Sequence, residues 1–151
     1  MDPRNLLVAA QGAAMTGLAW PGRGRWRLHP VVRAGALVVA AGGAALSVAG
    51  VREQGAQLTP RVDPPAGARL LTDGVYRFSR HPVYAGLLLG GAGFAVLRRR
   101  REPLVAWAAL AAVLHAKTAA EEQALRARFG AAYVEYAART PRLLGLPASA
   151  R

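Results

Sequence analysis

"VYAGLLLGGAGFAVLRRRREPLVAWAALAAVLHA", residues Val83–Ala116, decides how this chain folds. Two apolar runs, Val83–Leu97 and Pro103–Ala116, are separated only by Arg98–Glu102. Neither run alternates apolar with polar residues as a half-buried strand would. Both are rich in Ala, Leu and Gly, which membrane helices tolerate. So short a link between two helices predicts an antiparallel hairpin. Pro82 and Pro103 each suit a first helical turn, where the missing N–H is harmless. Gly130 suits a stop after Phe129. The second arm then runs from Pro103 to Phe129, ~40 Å at ~1.5 Å per residue, enough to cross a bilayer and leave its last turns in water.

Two more apolar runs lie upstream, Asn5–Trp20 and Ala34–Val51. The first differs from a secretory leader because Asp2 and Arg4 cancel and no basic stretch precedes it, so a retained helix is expected. Small residues such as Gly42, Gly43, Gly90, Gly91 and Gly93 would let helices approach closely. Between the second and third runs, Pro60, Pro64, Pro65 and Gly67 mark Arg52–Thr72 as a loop. The expected fold is therefore all-α: an integral membrane protein with about four transmembrane helices, the last two a hairpin, plus a short cytosolic C-terminal segment. One domain over 1–151 would divide into two N-terminal helices (1–51), a loop (52–81), the hairpin (82–129) and a tail (130–151).

The chain of 151 residues is 53% hydrophobic yet carries a formal net charge of +12. Its cations are arginines except for Lys117, and they crowd the gaps between apolar runs, as in Arg23, Arg25 and Arg27. That is the pattern of membrane-flanking segments. A nucleic-acid groove would interleave aromatics with the basic residues, and only Trp26 and Phe78 come near, so no nucleic-acid partner is expected. Cysteine is absent, which excludes disulfides, thiolate metal sites and a cysteine nucleophile, and no metal is expected. The sequence is silent on oligomeric state.

The hairpin has a geometric consequence. Counting back from the turn, His81 lies about 17 residues along one arm and Lys117 about 15 along the other. They reach similar depth, with Glu121 one turn further out. Lys117, Glu121 and Leu125 share a helix face by i, i+4 spacing, and His81 and Tyr84 share one by i, i+3. Taken alone, Lys117–Glu121 is an ordinary i, i+4 pair, unfavourably oriented and worth about a few tenths of a kcal/mol or less, and a histidine at a helix start is ordinarily a polar cap or interfacial residue.

The combination is less ordinary. Gly74, Tyr76, Arg80, His81, Pro82, Tyr84 and Gly86 form G-x-Y-x-x-x-R-H-P-x-Y-x-G. After the hairpin come Glu121, Glu122, Leu125, Phe129, Gly130, Tyr133 and Tyr136, as E-E-x-x-L-x-x-x-F-G-x-x-Y-x-x-Y, and then Pro141-Arg142. Over roughly Leu70–Leu146 the chain resembles the isoprenylcysteine carboxyl methyltransferase family, whose wider clan includes the phospholipid N-methyltransferases. The resemblance implies an integral membrane enzyme that uses S-adenosylmethionine. It further implies a cofactor pocket built from Ala68, Arg69, Leu70, Leu71, Tyr76, His81, Pro82, Val83, Tyr84 and Glu121. Lys117 and Glu121 would act at the reacting end, with Lys117 binding the acceptor where the family uses Arg. That exchange keeps the charge but loses the bidentate fork that suits a carboxylate.

Such an enzyme would take a lipophilic or lipid-linked acceptor among membrane lipids. A carboxylate arrives ionised and needs no base, whereas an amine must be neutral to attack. Lys117 therefore favours carboxyl O-methylation over phospholipid N-methylation. Two other readings stay open: a sterol-type reductase, which shares an R-H-x-x-Y element and binds NADPH, and a non-enzymatic membrane protein. S-adenosylmethionine is cytosolic, so the His81/Glu121 face is expected to look into the cytoplasm. With four spans that face would collect 12 of the 20 cations, a weak bias of the right sign. Arg98–Arg101 would face the other way.

Overall fold

A computed structural model describes residues 3–59 and 67–145. Asp2, Pro60, Arg61, Pro64, Pro65 and the segment 146–151, on which some of the expectations above fall, lie outside the described residues. Within them the chain is all-helical: α1 (Pro3–Ala19), α2 (Pro30–Gln54), α3 (Pro82–Leu97), α4 (Arg101–Phe129) and α5 (Ala131–Arg139), with 3-10 turns at Gly55–Gln57 and Gly74–Arg77.

The helix ends follow local chemistry. Pro30 and Pro82 occupy first turns, and the imidazole Nδ1 of His29 accepts a hydrogen bond from the Val31 amide at the start of α2. Pro103 lies in the first turn of α4, which begins two residues earlier, at Arg101. Gly130 ends α4 at φ 55°, a left-handed conformation that a side chain would strain. Where the sequence reading has a tail after Gly130, the structure forms α5. Its Tyr133 and Tyr136 are buried, so the aromatic pair anchors a segment whose length alone would not hold it helical.

α2 packs chiefly on α3, and α1 on α4. The first pair meets backbone to backbone. A Cβ added at Gly93 would lie 2.7 Å from the Ala40 amide nitrogen, and one at Gly86 would lie 2.5 Å from the Gly43 carbonyl oxygen. The Ser47 hydroxyl donates to the Val83 carbonyl across the same seam. α3 and α4 are joined by residues 98–100, and their contacts run in opposite senses: Trp107 Nε1 donates to the Leu88 carbonyl, while Tyr84 reaches Glu121. A small core of Ala14, Leu18, Ala95, Leu110 and Leu114 lies between α1, α3 and α4.

Much of the apolar surface faces outward. Val38 is 72% and Val105 68% exposed, on helices whose polar residues do not form a covering face. Pro30–Gln57 and Arg101–Phe129, at 28 and 29 residues, are long and apolar enough to cross a membrane, since ~20 residues suffice. α1 and α3 are apolar but shorter.

At one end of the molecule the Arg98–Arg100 turn is tied to the α1–α2 link. The guanidinium of Arg98 donates to the Trp20 carbonyl, and Arg25 pairs with Glu102 at 2.8 Å. The opposite end carries the polar motifs.

Candidate functional site

The stretch that enters α3 is pinned from three sides before it supplies any site residue. Glu53, near the end of α2, accepts a hydrogen bond from the Val75 amide with both carboxylate oxygens, at 3.0 and 3.2 Å. This positions the 3-10 turn that carries Tyr76. Gly74 (φ 55°) lies against the same carboxylate, with no room for a Cβ. Tyr136, from α5, donates to the Tyr76 carbonyl at 2.7 Å. Finally, the amides of Arg80 and His81 donate to the carbonyls of Pro141 and Arg142, so the chain after α5 folds back along the R-H-P motif.

Glu122 is the hub of that clamp. Its carboxylate receives Arg142 Nε and Nη2 at 3.0 and 2.8 Å, a bidentate pair. Arg80 Nη2 lies 3.2 Å away, and His81 Nε2 3.5 Å away without the alignment of a hydrogen bond. The hydrogen bonds to Glu122 hold the Arg142 guanidinium even more firmly charged than usual.

Glu121, its neighbour, points elsewhere. Its Oε1 accepts from the Tyr84 hydroxyl at 2.6 Å, and its Oε2 lies 3.4 Å from His81 Nδ1. His81 and Tyr84 stack, with ring centroids 5.8 Å apart. Burial alone would depress the His81 pKa, but the two carboxylates together raise it above the ordinary value. Lys117 is 1% exposed; its Nζ lies over the Tyr84 ring at 5.2 Å, and 4.0 Å from Glu121.

These groups share one cavity of about 360 Å³, within the ~300–1,000 Å³ range of small-molecule sites. Of the residues named from the sequence, Ala68, Arg69, Leu70 and Leu71 form one wall, and Tyr76, His81, Val83 and Tyr84 a second. Lys117 and Glu121 complete it from α4. Pro82 is buried beside the cavity but does not line it.

Several lining residues carry no signal in the sequence. Gln57 holds the Ala68–Leu71 wall in place: its Oε1 accepts from the Arg69 amide at 2.7 Å, and its Nε2 donates to the Arg69 carbonyl at 3.4 Å. Gln11, Gln54 and Leu87 also face the space, as does Arg80, which the R-H-P motif does mark. The Tyr133 hydroxyl is buried beside it without a hydrogen-bond partner, and burial with Glu122 nearby pushes its pKa up to about 12.

The donor set fits S-adenosylmethionine by chemistry. Tyr76, Tyr84, Leu70, Leu71 and Val83 offer aromatic and apolar walls for an adenine. Glu121 offers a carboxylate for cationic groups, and His81 and the Tyr133 hydroxyl offer polar atoms to the rest.

Comparison with known proteins gives the same family as the motifs. The chain is 38% identical over 74 residues to "Protein-S-isoprenylcysteine O-methyltransferase B" of Arabidopsis thaliana, a match covering 48% of this chain and 38% of that protein. The family model for phospholipid methyltransferases matches residues 31–132, which reach from the start of α2 into α5 and take in both the R-H-P entry to α3 and the Glu121-Glu122 pair. With the greater part of its length matched and both motifs on one cavity, this chain belongs to the phospholipid methyltransferase family of membrane methyltransferases.

Proposed function

We propose that the chain is an S-adenosylmethionine-dependent membrane methyltransferase acting on a lipophilic or lipid-linked acceptor, with a carboxylate favoured. The observation that carries this reading is the meeting of Glu121, His81, Tyr84 and Lys117 on one cavity. In it, Ala68, Arg69, Leu70, Leu71, Tyr76, His81, Val83, Tyr84 and Glu121 hold the cofactor, with Pro82 setting the backbone between His81 and Val83. Lys117 holds the acceptor. S-adenosylmethionine, when bound, supplies a methyl group made electrophilic by its sulfonium.

The protein's own work is positional. Methyl transfer is an in-line displacement at carbon, so bringing nucleophile and methyl into line is the main source of rate. Glu121 is held by Tyr84 and His81 in a fixed direction, ready to pair with a cationic group. The Lys117 ammonium draws an anion to the same end, and no base is required of the protein. Four helices crossing the bilayer, with α3 and α4 as a hairpin, would set the cavity at the cytoplasmic boundary, where the methyl donor is available. Acceptors would enter from the lipid. The isoprenylcysteine named for the Arabidopsis relative is an acceptor of this kind.

A second reading, phospholipid N-methylation, is favoured by the description of the matching family. One experiment separates them. Membranes containing the protein are incubated with methyl-labelled S-adenosylmethionine, and the labelled lipid is treated with base. Release of labelled methanol marks an ester and supports the carboxylate reading. Base-stable label in a phospholipid amine supports the second. In parallel, calorimetry on the detergent-solubilised chain should give saturable S-adenosylmethionine binding, weakened about tenfold or more by Glu121→Gln, the loss of one charge-assisted interaction. No binding to the unaltered chain, with NADPH consumed instead, would overturn both readings in favour of a reductase.

A further inference from the structure

α1 lies outside residues 31–132, yet its Gln11 lines the cavity and accepts a hydrogen bond from Lys117 Nζ at 2.9 Å. The surroundings of that ammonium explain why this contact matters. A buried charge needs partners, and the nearest anion is Glu121, one turn along α4. Glu121 is already engaged by Tyr84 at 2.6 Å and by His81 at 3.4 Å, and it stands 4.0 Å from Nζ, beyond hydrogen-bond reach. Gln11 is thus the hydrogen-bond partner that sets where the ammonium points, with the Tyr84 ring beneath it.

The donor count gives the ligand class. An ammonium has three N–H groups and no acceptor; one is spent on Gln11. Because Lys117 is a pure donor, the Gln11 amide must turn its oxygen toward it, which leaves the two Nε2 hydrogens unspent among the described residues. Two residues side by side on the cavity wall therefore offer donors and a positive charge. A carboxylate has two acceptor oxygens and a negative charge to match. From this pair an amine would meet only donors, and the nearby Glu121 carboxylate is already engaged by Tyr84 and His81.

We propose that Gln11 is a specificity-determining positioning residue. It holds the Lys117 ammonium off Glu121 and, with it, forms a carboxylate subsite, so that a helix outside the family-matching segment selects an anionic acceptor. This deepens the proposed function, but the subsite is testable without a methyl donor.

The probes are an S-farnesyl thioether bearing a free carboxylate, and its methyl ester. Binding of each to the full-length protein in detergent is measured by calorimetry. The unaltered protein should bind the carboxylate about tenfold more tightly than the ester, as expected for one charge-assisted hydrogen-bonded contact. Gln11→Leu should bring that ratio close to one, with the carboxylate losing far more affinity than the ester. If Gln11→Leu fails to fold, judged by thermal unfolding, Gln11→Glu replaces it. The added carboxylate would pair with Lys117 and abolish the preference at nearly constant volume. A ratio near one in the unaltered protein, or a ratio preserved in the variant, overturns the proposal. A merely structural Gln11 would lower stability without moving the ratio. S-adenosylmethionine binding, measured separately, reports on the methyltransferase reading, so failure of one is distinguishable from failure of the other.

Discussion

Glu121 and Glu122 are adjacent carboxylates with opposite duties, and Glu122→Gln tests the division. The Glu122 side chain is 3% exposed and faces two arginines and a histidine. The amide substitution keeps the shape but removes the charge, and it turns an NH2 group toward guanidinium donors, since only one of its two ends can accept. Removing one partner of a buried ion pair costs about 3–5 kcal/mol. Arg142, 34% exposed, can rehydrate, whereas Arg80, at 7%, cannot. The lower figure, about 3 kcal/mol, is therefore expected. At ~2–4 °C per kcal/mol for a chain of this size, the thermal midpoint in detergent should fall by ~6–12 °C. Glu122 does not line the cavity, so S-adenosylmethionine affinity, measured by calorimetry well below the new midpoint, should stay within about threefold. Glu121→Gln should show the converse, losing binding with little loss of stability. The reasoning is refuted if Glu122→Gln leaves the midpoint within 2 °C (on the order of 1 kcal/mol or less). It is equally refuted if that variant abolishes binding at unchanged stability.

Gly43→Ala should cost about 1–3 kcal/mol, because a Cβ there overlaps the backbone of Gly86 and Gly90. Gly42→Ala, with nothing within 4 Å, should be neutral or gain up to about 1 kcal/mol; paired thermal unfolding checks both. Tyr136→Phe leaves the Tyr76 carbonyl without its 2.7 Å donor and should cost about 1–3 kcal/mol, read as a lower midpoint. His81 supplies a pH signature. Its folded pKa is raised, so its contribution to stability is complete below the unfolded value of ~6.5 and is lost as pH rises through the folded value. The midpoint should decline across that window, and His81→Asn should flatten the decline; an unchanged slope would contradict the assigned partners.

What was legible in the sequence, and what was not, follows from the range of the forces involved. Helices, their starts at Pro82 and their stops at Gly130 depend on neighbours within a turn or two, and the composition of the apolar runs is local as well, so all could be read from residue order. So could the meeting of His81 with Glu121, because His81 stands at the start of α3, Glu121 lies on α4, and the link between the two helices is too short to allow another arrangement. Partners set by packing between distant segments were illegible. Gln57 grips the Arg69 backbone, Glu53 caps the turn of Tyr76, and Gln11 reaches Lys117; a lone Gln or Glu in a helix has no pattern that announces its partner. The Glu121-Glu122 pair shows the limit most clearly. Residue order puts the two side by side, but on a helix successive side chains diverge by about 100°, and only the placement of α3 and the returning Arg142 decided which faces the cavity and which locks the fold.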